Sequence, residues 1–422
     1  MKNKEIINQL KFYKSFNFPI FITLLLSSLF TNSSLFLLLS SINQFDAESN
    51  MALIFIILFG LLFLISITMT IIIIGINFNI RERDLINRRL IGSTFRELFK
   101  NLLYEQSIIM IPSFILGFAL SFVLNKILIN SLINKAILNS TFSINYSIVN
   151  VLGVILISLI VLFLIMYFST KKYKEIDNKN VAKNIKKQII KFVFGLLFII
   201  SFFLLIIFNN TEVLYLFGGI FLIIGLYFVL EMTIVFISKI FFKCFSSFFF
   251  ASSSIKNIEF NASLITKIIL LLVNSMIFLN FSTNVINKMG VANYDINQNT
   301  QYLNGLMFLG SYLNIVFISF TLVVLVNGFL MYLKSLEKES NLLRNLGFTR
   351  NKIFFRTLFQ FTLIWIAYIS LSFVGTILIS IIWKDQSALS NIKYWILEIF
   401  VVFFIMLILC FINWFYKTIK NK

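Results

Sequence analysis

Stretches of 20 or more nearly uncharged residues recur from one end of this chain to the other. Each is long enough to cross a hydrocarbon core of about 30 Å as a helix. In order they run roughly 18–42, 53–80, 108–129, 148–170, 189–208, 214–237, 264–286, 306–333, 361–383 and 395–416. With 59% hydrophobic and only 13% charged residues, the composition agrees with a chain that crosses the membrane many times. The expected fold is an all-α polytopic membrane protein with about ten transmembrane helices. Its two prolines, Pro19 and Pro112, stand near the starts of apolar runs, so most helices should pass uninterrupted. Lys2, Lys4, Lys11 and Lys14 precede the first run as in a signal peptide. That run is too long for a signal-peptide core and has no clear small-x-small cleavage site, so it reads as an uncleaved first helix.

Charge orients the spans. Segments 1–17, 81–107, 171–191, 238–267, 334–360 and 417–422 hold 31 of the 36 lysines and arginines. The opposite side has Lys126, Lys135, Lys288, Lys384 and Lys393. The positive-inside rule places the rich segments, and both termini, in the cytoplasm. A net charge of +19 divided among six short segments speaks for anionic lipid headgroups and not for nucleic acid. The longest outer loops, about 130–147 and 287–305, are too short for a folded domain.

A second pattern sits on the inner side. Arg81-Glu-Arg-Asp-Leu-Ile-Asn-Arg-Arg-Leu-Ile-Gly-Ser-Thr-Phe-Arg96 returns 255 residues later as Leu336-Glu-Lys-Glu-Ser-Asn-Leu-Leu-Arg-Asn-Leu-Gly-Phe-Thr-Arg-Asn351. At that offset Glu82 meets Glu337, Arg83 meets Lys338, Asp84 meets Glu339, and Arg89 meets Arg344. Gly92 then meets Gly347 and Thr94 meets Thr349. Each copy follows a run of about 28 residues, or ~42 Å of helix, which exceeds the bilayer core and should project into the cytosol. The ten spans therefore divide as 4+2+4 with a parallel internal repeat. Residues 1–170 form the first four-helix repeat, 171–255 an inserted pair (spans 5 and 6) with its linkers, and 256–422 the second repeat.

Gly92 and Gly347 suit a left-handed helix terminus, and the Ser-Thr and Phe-Thr that follow suit the start of another helix. Phe95, Leu98, Phe99, Leu102 and Leu103 make one apolar face of that next helix; Ile353, Phe354, Thr357 and Leu358 make a weaker one. The expectation is a short amphipathic helix under the membrane, joined rigidly to two spans. An ordinary interfacial helix in a charged loop is the alternative. Duplication of the glycine, the threonine and the flanking charges favours a lever.

These motifs resemble the Arg-Glu-x-x-x-x-Arg-x-Leu-Gly-x-[ST] element of FtsX-like permeases, the membrane subunits of mechanotransmission-class ABC transporters. The resemblance covers residues 51–170 and 306–422. It implies an all-helical permease whose motif binds a separate ABC-type ATPase as a coupling element. The coupling residues would be Arg83, Asp84, Arg89, Gly92, Ser93 and Thr94 in the first copy. In the second they would be Lys338, Glu339, Arg344, Gly347, Phe348 and Thr349. The layout is similar to that of ten-span bacitracin-resistance-type permeases, but the large extracellular domain those carry between spans 7 and 8 is replaced here by residues 287–305. The implied function is export or dislodging of a membrane-active peptide, as antimicrobial-peptide resistance or bacteriocin immunity in a bacterial plasma membrane. Lipid or lipoprotein transport, or a non-transporting signalling or scaffold role, are the alternatives.

No phosphate-binding G-x-x-x-x-G-K-[ST] occurs, so ATP is expected to be used by a partner and no cofactor to be bound by this chain. The chain contains no histidine, and its two cysteines, Cys244 and Cys410, are placed for neither a metal site nor a disulfide. It is not expected to be an enzyme. Glu231, within the sixth run, is a candidate intramembrane polar site, with a structural polar contact as the alternative. A secondary transporter would need several such groups near the midplane, and only Glu231 is close. Glu398, at the start of the last run, is expected to reach the outer headgroups. Asn274, Asn280 and Asn327 read as interhelical hydrogen-bonding groups. The hydroxyls of the first run (Thr23, Ser27, Ser28, Thr31, Ser33, Ser34), together with Asn32, read as close helix packing, with a polar track for a peptide as the alternative.

Overall fold

The computed structural model describes residues 14–44, 50–135, 138, 142–171, 181–208, 212–270, 272–273, 300–383 and 392–419. All regular structure among them is helical. The helices are α1 (Lys14–Gln44), α2 (Asn50–Leu90), α3 (Phe95–Asn134), α4 (Ile148–Lys171), α5 (Val181–Phe208) and α6 (Glu212–Cys244). They continue as α7 (Phe249–Phe260), α8 (Thr300–Ser335), α9 (Glu337–Asn345), α10 (Arg350–Trp383) and α11 (Ile392–Ile419). Among the described residues five stretches are long and apolar enough to cross a membrane: Asn17–Ile42, Arg96–Asn134, Ile224–Cys244, Arg350–Ile377 and Ile396–Phe415. Ile148–Leu164 and Ile189–Leu205 are shorter apolar helices. Both prolines are accommodated inside helices, Pro19 in α1 and Pro112 in α3. Asn274, Asn280, most of the seventh run and the loop 287–305 lie outside the described residues.

The chain forms two compact units, Met1–Asn178 with Ser282–Phe320, and Lys179–Phe281 with Thr321–Lys422. In the first unit α1 packs against α2, α3 and α4. That central position explains its composition, because helices packed in lipid gain most from small residues that let backbones approach. Thr23, Ser27, Ser28, Thr31, Asn32, Ser33 and Ser34 are all buried. The Ser28 hydroxyl donates to the Leu25 carbonyl (2.9 Å) and to the Ser113 carbonyl of α3 (3.3 Å). Ser33 donates to Asn125 Oδ1 on α3, and Ser158 of α4 donates to Asn32 Oδ1. At the tightest α1–α3 crossing, a Cβ on Gly117 would lie 1.9 Å from Ser28 Oγ and 2.7 Å from the Leu25 carbonyl oxygen. Next to it Leu35, Phe36 and Val154 form a buried cluster lined by Phe59, Phe118 and Phe122.

In the second unit α5 and α6 form a hairpin. It crosses where Gly195 faces Gly225: a Cβ on either would come within 2.9 Å of the other's carbonyl oxygen. α7 packs on α6 and α10, and α10 also packs on α11. Glu398 does not extend outward from α11 as expected. It is buried and accepts a hydrogen bond from the Tyr368 hydroxyl of α10 (3.4 Å), one turn from where the Trp365 indole donates to the Ile399 carbonyl (3.2 Å). A carboxylate facing a neighbouring helix with a phenol in reach is stabilised there more than one facing hydrocarbon. Asn327 is also buried, in α8. Cys244 is exposed, Cys410 is buried, and both are free thiols.

Candidate coupling elbows

The repeated motif folds into the same turn in both units. α2 runs through its charged segment, where Asp84 and Arg88 pair one turn apart at 3.2 Å, and ends at Leu90. Gly92 then takes φ +107°, and the Ser93 amide donates back to the Arg88 carbonyl at 3.0 Å. In the second copy Gly347 takes φ +88°. There the Phe348 amide donates to the Leu343 carbonyl (3.1 Å) and the Gly347 amide to the Arg344 carbonyl (3.0 Å). A bond reaching five residues back, closed by a left-handed glycine, is the Schellman termination of a helix. Gly92 and Gly347 are the two positive-φ glycines among the described residues.

The next helix begins immediately. Thr94 caps α3: its hydroxyl accepts from the Glu97 amide (3.3 Å), and the Glu97 carboxylate accepts from the Thr94 amide (3.2 Å). This reciprocal pair satisfies two of the amides a helix start leaves open. Leu98 and Leu102 are buried and Phe99 meets the Tyr167 ring edge-on at 5.7 Å, whereas Arg96, Glu97 and Lys100 are exposed. The apolar face is thus where the sequence places it, but it belongs to no separate short helix. α3 runs unbroken from Phe95 to Asn134 and α10 from Arg350 to Trp383. Once the cap is set, no residue before the membrane stretch breaks the ladder, so each elbow is one turn that leads directly into a long helix.

At the tips the apolar residues face outward: Leu90 is 80% exposed, Ile91 86% and Leu346 75%. Arg344 and Thr349 are exposed beside them, and Phe348 is half-buried. The backbones of Arg83, Arg89 and Lys338 continue their helices, while their side chains lie outside the described residues. Glu231 is half-buried in α6, apart from both elbows in sequence.

Behind each turn lies an ion pair that sequence reasoning did not find. In the first, the guanidinium of Arg81 grips Glu105 through two parallel hydrogen bonds of 2.9 Å, with both side chains 1% exposed. The Asn17 amide on α1 reaches the same carboxylate at 3.5 Å. In the second, Glu339 on α9 pairs with Arg356 on α10, and Asn257 on α7 donates to Glu339 at 2.6 Å. A signal did exist. Glu105 and Arg356 are each the last charged residue before a long apolar stretch of α3 and α10, where a charge is unfavourable unless a partner meets it.

Residues 54–177, which include the whole first elbow, match the FtsX-like permease C-terminal family. No curated protein matches the chain. That segment is therefore similar to a domain of membrane subunits of ABC transporters, proteins that pair with separate ATPase subunits and are themselves non-catalytic.

Proposed function

We propose that this chain is a ten-span permease, arranged 4+2+4 with both termini cytoplasmic, that expels or dislodges a membrane-active peptide from a bacterial plasma membrane. A separate ABC-type ATPase dimer supplies the force. The observation that carries this reading is the duplication of the elbow. The same Schellman turn at Gly92 and Gly347, each with a bare apolar tip, offers two equivalent handles to a partner with two equivalent subunits. Closing of the ATPases on ATP pushes both handles, and α2 and α8 carry the displacement into the membrane. The coupling contacts are Asp84, Gly92, Ser93, Thr94, Glu339, Arg344, Gly347, Phe348 and Thr349, with Arg83, Arg89 and Lys338 beside them.

A peptide fits the cargo side because the longest outer loops are short, which suits a substrate taken from the outer leaflet better than one delivered by an external domain. The test is to express the chain with its cognate ATPase in a peptide-sensitive host. Resistance to a cationic antimicrobial peptide or bacteriocin should rise and should vanish with a hydrolysis-dead ATPase. Unchanged peptide sensitivity with altered lipoprotein or lipid distribution would move the reading to lipid handling. Failure of the ATPase to copurify would end it.

A further inference from the structure

The two ion pairs behind the elbows are reversed in polarity and unequal in burial. Arginine sits on the lever in the first unit (Arg81, α2) and carboxylate on the lever in the second (Glu339, α9), with the partner charges likewise exchanged between α3 and α10. In each, an asparagine from a third helix bonds the carboxylate, Asn17 on α1 and Asn257 on α7. At the 255-residue offset Glu105 corresponds to Gln360 and Arg356 to Asn101, so the second pair is not an inherited copy of the first. Two different side-chain solutions fasten the same turn in the same way, which indicates that the fastening itself is required.

The fastenings differ in strength. Arg81–Glu105 is bidentate and sealed from solvent, so opening it strands a charge without water. Glu339 is 37% exposed, so water can take up its charge as the pair parts. The levers themselves do not differ in this way: between α8 and α9 Leu336 keeps right-handed helical backbone (φ −77°, ψ −9°), its amide bonded to the Tyr332 carbonyl (3.1 Å) and its carbonyl to the Ser340 amide (2.9 Å). The caps do differ: Glu97 completes a reciprocal cap with Thr94, and Lys352, at the matching position after Thr349, has no acceptor with which to do so.

We infer that Arg81, Glu105 and Asn17 are positioning residues that make the first elbow one rigid body with α3. Glu339, Arg356 and Asn257 form the yielding counterpart, so nucleotide-driven movement is taken up at the second elbow. The role in the stroke rests on the coupling function proposed above; the difference in stiffness does not.

Hydrogen exchange on the full chain in lipid nanodiscs tests it, read at the Ser93 and Phe348 amides, which make the same bond in the two turns. Without ATPase, Phe348 should exchange at least about tenfold faster than Ser93, the ratio set by ~1.4 kcal/mol. Arg81→Met with Glu105→Met removes both buried charges at similar volume, a change buried pairs commonly tolerate. It should bring Ser93 close to the Phe348 rate, while the matching Glu339→Met with Arg356→Met, which leaves no buried guanidinium unpaired, should leave Phe348 within about twofold of its native rate. Arg81→Lys, which keeps charge and loses the fork, should fall between and serves if the first double variant does not insert. With the ATPase and a non-hydrolysable nucleotide, exchange should change at Phe348 and not at Ser93. Equal native rates, or equal nucleotide responses, overturn the inference. Unequal rates in a chain that binds no ATPase would sink the coupling function and leave the unequal clasps standing.

Discussion

Replacing Gly92 and Gly347 together by valine isolates what the elbows contribute. Both glycines hold positive φ, +107° and +88°, where a β-branched residue is strained. A Cβ at either position would meet no atom within 4 Å, so no steric clash complicates the substitution. The cost is backbone strain alone, about 1–3 kcal/mol per site. A chain that avoids the strain by changing φ loses the bond from Ser93 to Arg88 or from Phe348 to Leu343, about 1 kcal/mol each, and with it the direction of the next helix. Two independent elbows then sum to about 2–6 kcal/mol, a weakening of roughly 30-fold to 10⁴-fold if the ATPase requires both turns intact. The turns lie outside the apolar helix stretches, so insertion and expression should persist. The assay is titration of the purified ATPase onto nanodisc-embedded permease, alongside peptide resistance in cells. Gly153→Val is the control, since Gly153 lies inside α4 with open space around it and no positive φ. Alanine at the two elbows should fall between glycine and valine. Wild-type affinity and full resistance in the double valine variant would refute the argument that these turns transmit force.

Gly117→Val should destabilise the first unit by about 1–3 kcal/mol, because its Cβ presses on the Leu25 backbone carbonyl as well as on the Ser28 hydroxyl. Thermal unfolding in detergent measures this, and an unchanged midpoint would mean that α1 and α3 do not cross there. For orientation, single cysteines placed at Ser340 or Lys179 in a background lacking Cys244 and Cys410 should resist impermeant thiol reagents in intact cells. A cysteine replacing Gln298 should react, and labelling of either inner site from outside would reverse the proposed topology.

What the sequence determined by itself is local or collective. Helices long enough to span a bilayer follow from uninterrupted apolar runs, and the turn at each elbow follows from glycine and threonine placed just past a charged helix. These interactions reach no more than five residues along the chain, as the Ser93-to-Arg88 and Phe348-to-Leu343 bonds show, so residue order is enough to specify them. Tertiary structure decided which charges meet. Arg81 finds Glu105 24 residues on, Arg356 finds Glu339 17 residues back, and Asn257 reaches Glu339 across 82 residues. It also decided that Glu398 turns inward to Tyr368 and which residues of α3 and α4 the polar side chains of α1 meet. Hydropathy cannot foresee such choices, because lipid and protein interior are equally apolar and no water-facing side marks the buried face of a span. Interhelical register, set where small residues such as Gly117 let backbones touch, brings the partners together.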